Sequence, residues 1–396
     1  MVSRSVLEGL FASLLGLSLL TAPSFAGPIS KRAKINDLAD TALENVHKIL
    51  SGNLTDGSTH TTCTSENVAV RKEFGDMSEE ERADYVRSVN CLLNTPSRLD
   101  PEMYPGAVNR YDDFVVLHMN MTPTVHMTAN FVHWHRAYVW AYESALRDEC
   151  GYQGYQPYWD WSKYPDPLES VMFSGSDTSM SGNGEYIEHE GHRLGMSSDP
   201  VPPGKGGGCV QSGPFANMTV NLGPVMVSLD IEVPANPQSD GYGLNPRCIR
   251  RDIGDFFTSQ YLLPDQLATH IESTDNVLTF QTTLQTDTAE AYSFHTGGHY
   301  TIWGDPGGDF LVSPGDPMFW LHHGQVDRHW WIWQNQDPEA RVQQYEGPTV
   351  MMDPSSPEGK LTDVQELAHT APQGLGVLTS GDLVSTTAGP LCYVYV

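Results

Sequence analysis

Two groups of histidines constrain this chain more than any other feature of its sequence. They are His118, His126 and His135, followed by His295, His299 and His323. Neutral imidazole suits copper, zinc, iron and nickel, whereas calcium and magnesium require oxygen ligands. Three imidazoles in each group, with no obligatory carboxylate, predict a site for a borderline-soft ion. Two such groups predict a fold that holds a pair of transition-metal ions.

The residues around these histidines resemble the tyrosinase family. Residues 126–136 are similar to that family's first copper-binding motif, in which the second and third ligands stand nine residues apart. Residues 316–327 match its second signature, Asp-Pro-x-Phe-Trp-x-x-His-x-x-x-Asp, and this match assigns His323 rather than His322 as the ligand. The resemblance therefore supports all six histidines as metal ligands.

Two further segments extend the resemblance. Residues 157–161 resemble the family's aromatic stretch, and residues 393–395 resemble its terminal Tyr-x-Tyr. The matches run from about Arg110 to the C-terminus. The short spacing of eight residues between His118 and His126 is most similar to the spacing in the short, secreted fungal polyphenol oxidases.

The resemblance implies a type-3 centre of two copper ions, one bound by each group of histidines. It implies an oxidoreductase that uses O2 to oxidise catechols (o-diphenols) to o-quinones, with a small phenol and O2 as its partners. An alternative is a haemocyanin-like protein that binds O2 reversibly at the same kind of site. A dizinc hydrolase is a weaker third interpretation, because such sites commonly recruit bridging carboxylates and the motifs contain none.

Two residues near the second group bear on the reaction. Glu290 stands about where the family places an acid that positions a water, and the alternative is a solvated glutamate at a helix start. Members that hydroxylate monophenols often carry Asn after the fourth ligand, where this chain has Thr296. We therefore expect weaker activity on monophenols than on o-diphenols. No cysteine lies near His126, so the thioether link of many members is not expected.

The first residues resemble a secretory signal peptide. Arg4 precedes an apolar run that ends in small residues, so we expect residues 1–26 to be removed and the protein to be extracellular. Lys31-Arg32 is either a second processing site or two exposed basic residues. We expect 33–396 to form a single tyrosinase-like domain.

Cysteine and sequon positions agree with secretion. Six cysteines outside the cytosol suggest up to three disulfides, and sequence alone does not choose among the 15 pairings. They are Cys63, Cys91, Cys150, Cys209, Cys248 and Cys392. Asn53, Asn120 and Asn217 begin Asn-x-Thr sequons and are candidate glycosylation sites.

The charge of the chain narrows the range of partners. A formal net charge of −27 argues against nucleic-acid binding, which needs Lys and Arg to neutralise phosphates. No further stretch approaches 18 uninterrupted apolar residues, so no membrane span is expected in the mature form. Small neutral phenols are compatible with an acidic protein.

The pattern along the chain predicts a mainly α fold, in which a helical bundle holds the metals and long irregular loops surround it. Helices are expected from Arg110 through His118 to near Pro123, from Asn130 to Cys150 with Gly151 ending the helix, from Asp316 toward Trp333, and around His295–His299. His126 is expected in a loop after Pro123. Residues 164–250 lack sustained periodicity and predict a long irregular excursion with little β structure.

The other histidines near the motifs have no ligand position. His133, His322 and His329 are expected to pack or to support the ligands, and His189 and His192 to lie at the surface. Asp327, one turn after His323, is expected either to support a metal-bound imidazole or, alternatively, to pair with Arg328 or to be an exposed carboxylate.

Overall fold

The computed structural model describes residues 29–59, 62–192, 194, 201–226, 232–288 and 291–396, with side chains from residue 34 onward. The predicted signal peptide lies outside these residues. The described helices are α1 (Ile29–Leu50), α2 (Glu79–Asn94), α3 (Arg110–Val125), α4 (Phe131–Cys150), α5 (Phe256–Gln260), α6 (Pro264–Ser273), α7 (Val277–Gln285), α8 (Phe294–Ile302), α9 (Met318–Gln334) and α10 (Pro338–Arg341).

The strands are short and pair only two by two. They are β1 (Ala69–Arg71), β2 (Gly184–Tyr186), β3 (Gly207–Val210), β4 (Thr219–Val220), β5 (Arg247–Cys248) and β6 (Tyr393–Tyr395). β1 pairs with β6 in parallel, whereas β2–β3 and β4–β5 are antiparallel. This confirms the mainly α fold with little sheet. No helix in the described ranges is long and apolar enough to cross a membrane.

Local signals in the sequence set where the central helices begin and end. Asn109 and Asp112 form a reciprocal capping box at the start of α3. Gly151 ends α4 at a φ of 67°, a backbone conformation that glycine adopts without a steric penalty. Asp316 accepts the backbone N–H of Met318 at 2.8 Å and so caps α9. The predicted positions of these helices are therefore confirmed to within a few residues.

Helix α9 lies in the centre of the core. All of its residues are buried, as expected for a helix that other elements surround on every side. Its Trp320 ring stacks on Tyr142 of α4 with ring centroids 3.7 Å apart, and its indole N–H donates to Tyr111 of α3. Aromatic packing thus holds together the helices that carry the histidines.

Asp327 neither supports a candidate ligand, nor pairs with Arg328, nor is exposed. Its buried carboxylate accepts hydrogen bonds from Arg136 at 2.6 Å and from the hydroxyls of Tyr393 and Tyr395 at 2.6 and 2.5 Å. Burial raises the pKa of this carboxyl group, but the charges of Arg136 and Arg71 outweigh that effect and hold the pKa below its usual value. The terminal Tyr-x-Tyr is therefore part of a buried ionic cluster around Asp327. The Asp327 carboxylate is bound by Arg136, Tyr393 and Tyr395, and not by His323 or Arg328.

Disulfides and ion pairs fasten the long excursion and the chain ends. The cysteines pair as Cys63–Cys392, Cys91–Cys150 and Cys209–Cys248. Arg251, the residue that follows the excursion, donates to the carbonyl of Met180 within it and binds Asp316 through two hydrogen bonds of 2.8 Å, next to the start of α9. The irregular segment is thereby tied directly to the helix that carries His323.

Candidate dinuclear metal centre

The first three histidines come from two neighbouring helices. His118 lies within α3, His126 is the residue that ends α3, and His135 lies one turn into α4. A loop was expected between Pro123 and His126, but α3 continues through Pro123 to Val125. Proline has no backbone N–H to donate, and its own carbonyl accepts from Met351 at 2.9 Å, so the last turn is held from outside the helix.

Backbone carbonyls orient all three rings. The Nδ1 atoms lie 2.9, 3.1 and 2.8 Å from the carbonyl oxygens of Leu311, Thr122 and Phe131, for His118, His126 and His135 respectively. Nδ1 must carry the proton to donate there, so the lone pair of each neutral ring is on Nε2. The buried Nε2 atoms of His118 and His135 have no partner among the described residues. The three histidines form one group whose ring nitrogens lie within 4.8 Å of one another.

The second group comes from α8 and α9. His295 and His299 are one turn apart on α8, and His323 lies on α9. Gly298 permits this packing, because a Cβ atom there would lie 2.2 Å from Cε1 of His322. The helix predicted around His295–His299 is present despite its two glycines, and the close approach of α9 explains one of them.

The nitrogens of the second group converge on one point. His299 Nε2 lies 3.0 Å from His295 Nε2 and 3.2 Å from His323 Nε2. A proton on His299 Nε2 can bridge only one of these contacts at a time. Four ligands around an ion with bonds of about 2.0–2.1 Å are separated by about 3.3–3.4 Å, so this spacing fits a tetrahedral metal site. The chemistry of the donors and their spacing both fit copper or zinc.

His322 also lies within this group, although the motif assigns His323. The indole N–H of Trp161 donates to His322 Nδ1 at 3.1 Å. Because Nδ1 accepts, the proton of the neutral ring is on Nε2, which is then unavailable to a metal. The hydrogen bond therefore favours His323 as the ligand and gives His322 a packing role against Gly298.

The two groups face each other across the bundle. The rings of His135 and His323 stack with centroids 4.5 Å apart. Phe319, within the second motif, stacks on His323 at 4.1 Å, and Phe131 lies 4.9 Å from both His135 and His295. These phenylalanines pack against the imidazole rings and restrict their orientation.

Burial lowers the pKa of all six candidate ligands, because a charged imidazolium is poorly solvated among aromatic rings. The pKa falls to about 4 for His118 and to about 3 for His299. The rings are therefore neutral at pH 7, which is the form that binds a metal.

A cavity of about 710 Å³ reaches both groups. His126, His295 and His299 form part of its wall, together with Thr296 and Asp287. Aromatic and apolar side chains supply other parts of the wall, namely Phe310, Tyr292, Leu194, Met127 and Met352. Phe310 lies 4.7 Å from His126, and nothing in its local sequence pointed to this position.

The remaining sequence candidates are distributed as follows. Thr296 lines the cavity, and its hydroxyl accepts a hydrogen bond of 2.9 Å from Ser293, the residue that caps α8. Glu290 lies outside the described residues, so its role stays a prediction. His133 packs 4.5 Å from Trp330, as expected of a core histidine. His329 bonds to His270 through ring nitrogens 2.9 Å apart.

Two expectations about other residues have opposite outcomes. His189 and His192 are not surface histidines, because their side chains are only 3% and 0% exposed. Asp252, which is distant in sequence, lies against both rings, and the sequence around the two histidines gave no sign of it. By contrast, all six cysteines are in disulfides, so none is free to form a thioether with His126.

Known proteins of one family resemble this chain in sequence. Residues 108–336 match the family described as the common central domain of tyrosinase. The tyrosinase-like protein orsC of Emericella nidulans is 39% identical over 303 residues, which cover 73% of this chain and 80% of that protein. Tyrosinase P of Aspergillus terreus is 36% identical over 82% of this chain and 91% of its own length.

One solved structure is similar over nearly the whole chain. A variant of a polyphenol oxidase from Thermothelomyces thermophila superposes with a TM-score of 0.84 at 40% sequence identity. The superposition covers 92% of this chain and 98% of that one. The arrangement of helices described above is therefore also found in a protein with a polyphenol oxidase fold.

Proposed function

Because the chain belongs to the tyrosinase family, we propose that it is a secreted dicopper polyphenol oxidase that oxidises o-diphenols to o-quinones with O2. The observation that carries this proposal is that two histidine groups, each with converging nitrogens, meet at one aromatic cavity. A carrier of O2 has no need for such a cavity, whereas an enzyme must admit an organic substrate.

The six histidines are proposed to hold one copper ion in each group. His118, His126 and His135 would bind the first ion, and His295, His299 and His323 the second. The ions would supply the transfer of electrons to O2, which no side chain in the cavity can perform. The protein supplies rigid attachment, since the carbonyl-bound rings of the first group cannot turn without losing a hydrogen bond.

The cavity suits a phenol ring. Phe310 and Tyr292 offer aromatic surfaces, and Thr296 adds a hydroxyl beside His295. In the overall reaction two catechols and one O2 give two o-quinones and two waters, so each catechol loses two protons and two electrons. Glu290 is our candidate for the carboxylate that accepts a phenol proton through a water.

Secretion is proposed from two independent features. The first residues resemble a signal peptide, and six cysteines are paired in the structure. Disulfides persist in oxidising compartments and are rare in the cytosol. Analysis of the N-terminus of protein recovered from the culture medium tests this directly, and protein found only in cell extracts would contradict it.

Oxygen consumption by the copper-loaded protein tests the activity. We expect sustained uptake with 4-methylcatechol, accompanied by quinone absorbance, and weaker uptake with the matching monophenol, 4-methylphenol. Reversible binding of O2 without turnover would instead identify a carrier. A copper content near one ion per chain, or hydrolysis in the zinc-loaded protein without oxidation, would contradict the proposed pair of coppers.

A further inference from the structure

A third group of metal-binding side chains lies apart from the two histidine groups. His189, His192 and Asp252 bring two ring nitrogens and a carboxylate oxygen within 4.8 Å of one another. Asp252 Oδ2 is 3.1 Å from His189 Nε2 and 3.6 Å from His192 Nε2. All three side chains are almost fully buried, with exposed fractions of 3%, 0% and 1%.

Hydrogen bonding leaves this group incomplete. Neither ring nitrogen of His192 has a hydrogen-bond partner among the described residues, although the side chain is fully buried. Buried polar atoms are nearly always paired with protein, water or an ion, so this histidine requires an explanation. The amide of Gly191 donates to His189 Nδ1 at 3.3 Å, which leaves the proton of that ring on Nε2, facing Asp252.

We propose that His189, His192 and Asp252 bind a third metal ion, a divalent ion of the zinc class. The ion would take the place of the proton between His189 and Asp252 and would give His192 Nε2 a partner. The observed separations of 3.1 and 3.6 Å lie on either side of the roughly 3.4 Å expected between ligands of tetrahedral zinc.

The carboxylate is held in position for this role. The amides of Gly204 and Gly206 donate to the two oxygens of Asp252 at 2.9 and 3.0 Å. Only glycine fits at position 204, where a Cβ atom would lie 2.3 Å from the backbone oxygen of Asp252. Asp252 also borders a second cavity, of about 310 Å³.

The position of the group indicates what the ion does. The ring of His192 lies 4.0 Å from that of Trp303, the residue that ends α8. The backbone N–H of Trp303 donates to the carbonyl of His299, and that of Asp252 donates to Ile302. An ion here would fasten the segment around residue 189 to the end of the helix that carries His295 and His299. The site is thus structural and is separate from the redox centre.

Metal analysis of purified variants tests the proposal. Copper-loaded protein is dialysed against Zn2+, freed of unbound ions and analysed for total copper and zinc. We expect three ions per chain in the wild type and two in His192→Gln and in Asp252→Asn. His47→Gln is the matched control, because His47 is an exposed histidine of α1 and its replacement should leave three.

The difference between variants keeps this test independent of the proposed oxidase function. If the six histidines bound no copper, the wild type would still hold one ion more than His192→Gln. Equal metal content in these two proteins overturns the proposal. If His192→Gln does not fold, titration of the copper-loaded wild type with Co2+ decides the matter, since failure to bind one further equivalent also overturns it.

Discussion

At the residue scale, the position of one proton on each imidazole decides which histidines can bind a metal. His322 and His323 are adjacent, buried and in the same group of side chains. The hydrogen bond from Trp161 to His322 Nδ1 and the 3.2 Å approach of His323 Nε2 to His299 Nε2 distinguish them. Ligand assignment in such a crowded centre therefore depends on the partners of the second ring nitrogen.

Replacing each of these two histidines should give different copper contents. We expect His323→Gln to lose about one copper ion per chain and to abolish oxidation of 4-methylcatechol. His322→Gln should retain its copper, since it loses only the contacts with Trp161 and Gly298. Copper analysis together with oxygen uptake measures both effects. Loss of copper in His322→Gln and its retention in His323→Gln would reverse the assignment.

Thr296 is expected to influence the preference between o-diphenols and monophenols. Its hydroxyl is paired with Ser293, whereas an Asn amide would reach further into the cavity and could hold a water. Thr296→Asn should raise the ratio of 4-methylphenol to 4-methylcatechol turnover several-fold. Thr279→Asn is the matched control, because Thr279 is exposed and, like Thr296 in α8, is the third residue of its helix, α7. An unchanged ratio in Thr296→Asn would remove Thr296 from the determinants of specificity.

Glu290 should matter more to monophenols than to catechols, because a monophenol is less acidic and needs more help to lose its proton. We expect Glu290→Gln to lower turnover of 4-methylphenol more strongly than turnover of 4-methylcatechol, with copper content unchanged. Steady-state kinetics on both substrates provide the measurement. Equal losses on both, or loss of copper, would mean that Glu290 has a structural role.

The grouping of histidines in space could be predicted where a motif fixed their spacing in the sequence. His126 and His135, which the first motif spaces nine residues apart, lie in one group in the structure. His323 of the second motif lies in the other group with His295 and His299. The motifs did not reveal the burial of His192, because Asp252, which lies against its ring, is 60 residues away and no local pattern connects them. Phe310 was missed for the same reason, since it reaches the cavity from an irregular segment.

At the scale of elements, α8 shows how tertiary packing overrides helix propensity. Glycine costs about 1 kcal/mol relative to alanine in a helix interior, and this helix contains two in succession. Gly151 and Asp316 allowed the ends of other helices to be predicted from sequence, because capping is local. The parallel pairing of β1 with β6 was not predictable in this way, since its strands are more than 300 residues apart.

The two glycines of α8 should respond differently to alanine. At Gly298 a Cβ atom would lie 2.2 Å from the ring of His322, whereas at Gly297 the nearest atom is a flexible Leu262 methyl at 3.1 Å. We expect Gly298→Ala to lower the free energy of unfolding by about 2–3 kcal/mol, as overpacking typically does. Gly297→Ala should be nearly neutral, because improved helix propensity offsets the tight contact. Urea denaturation of the two variants measures the difference, and equal stabilities would contradict this explanation.

At the scale of the whole molecule, buried neutral histidines make stability depend on pH. His270 lies in the core between α6 and α9, and burial lowers its pKa to about 4. Its unfolded pKa is about 6.5. Below pH 6.5 the unfolded chain therefore takes up a proton that the folded chain refuses, and stability declines until the pH reaches about 4.

Removing this histidine should reduce the pH dependence. Each such group contributes about 1.4 kcal/mol per pH unit, so between pH 6.5 and 5.0 the contribution of His270 is about 2 kcal/mol. We expect His270→Gln to lose less stability by about this amount over that interval, because the glutamine amide does not titrate. Urea unfolding at the two pH values measures the change, with His47→Gln as control. An unaltered pH dependence would show that His270 is not kept neutral.

The pairing of β6 with β1 also has a consequence for the order in which the molecule is made. A ribosome that has reached residue 334 has already synthesised all six candidate ligands together with Arg71, Arg136 and Asp327. The two tyrosine hydroxyls that complete the buried ionic cluster, and the cysteine that pairs with Cys63, are still to come. Asp327 lies one helical turn beyond His323, so the cluster that holds this turn stays incomplete until residues 393–395 have been synthesised. We therefore expect metal to enter only after this segment has paired with β1 and Cys392 has been oxidised.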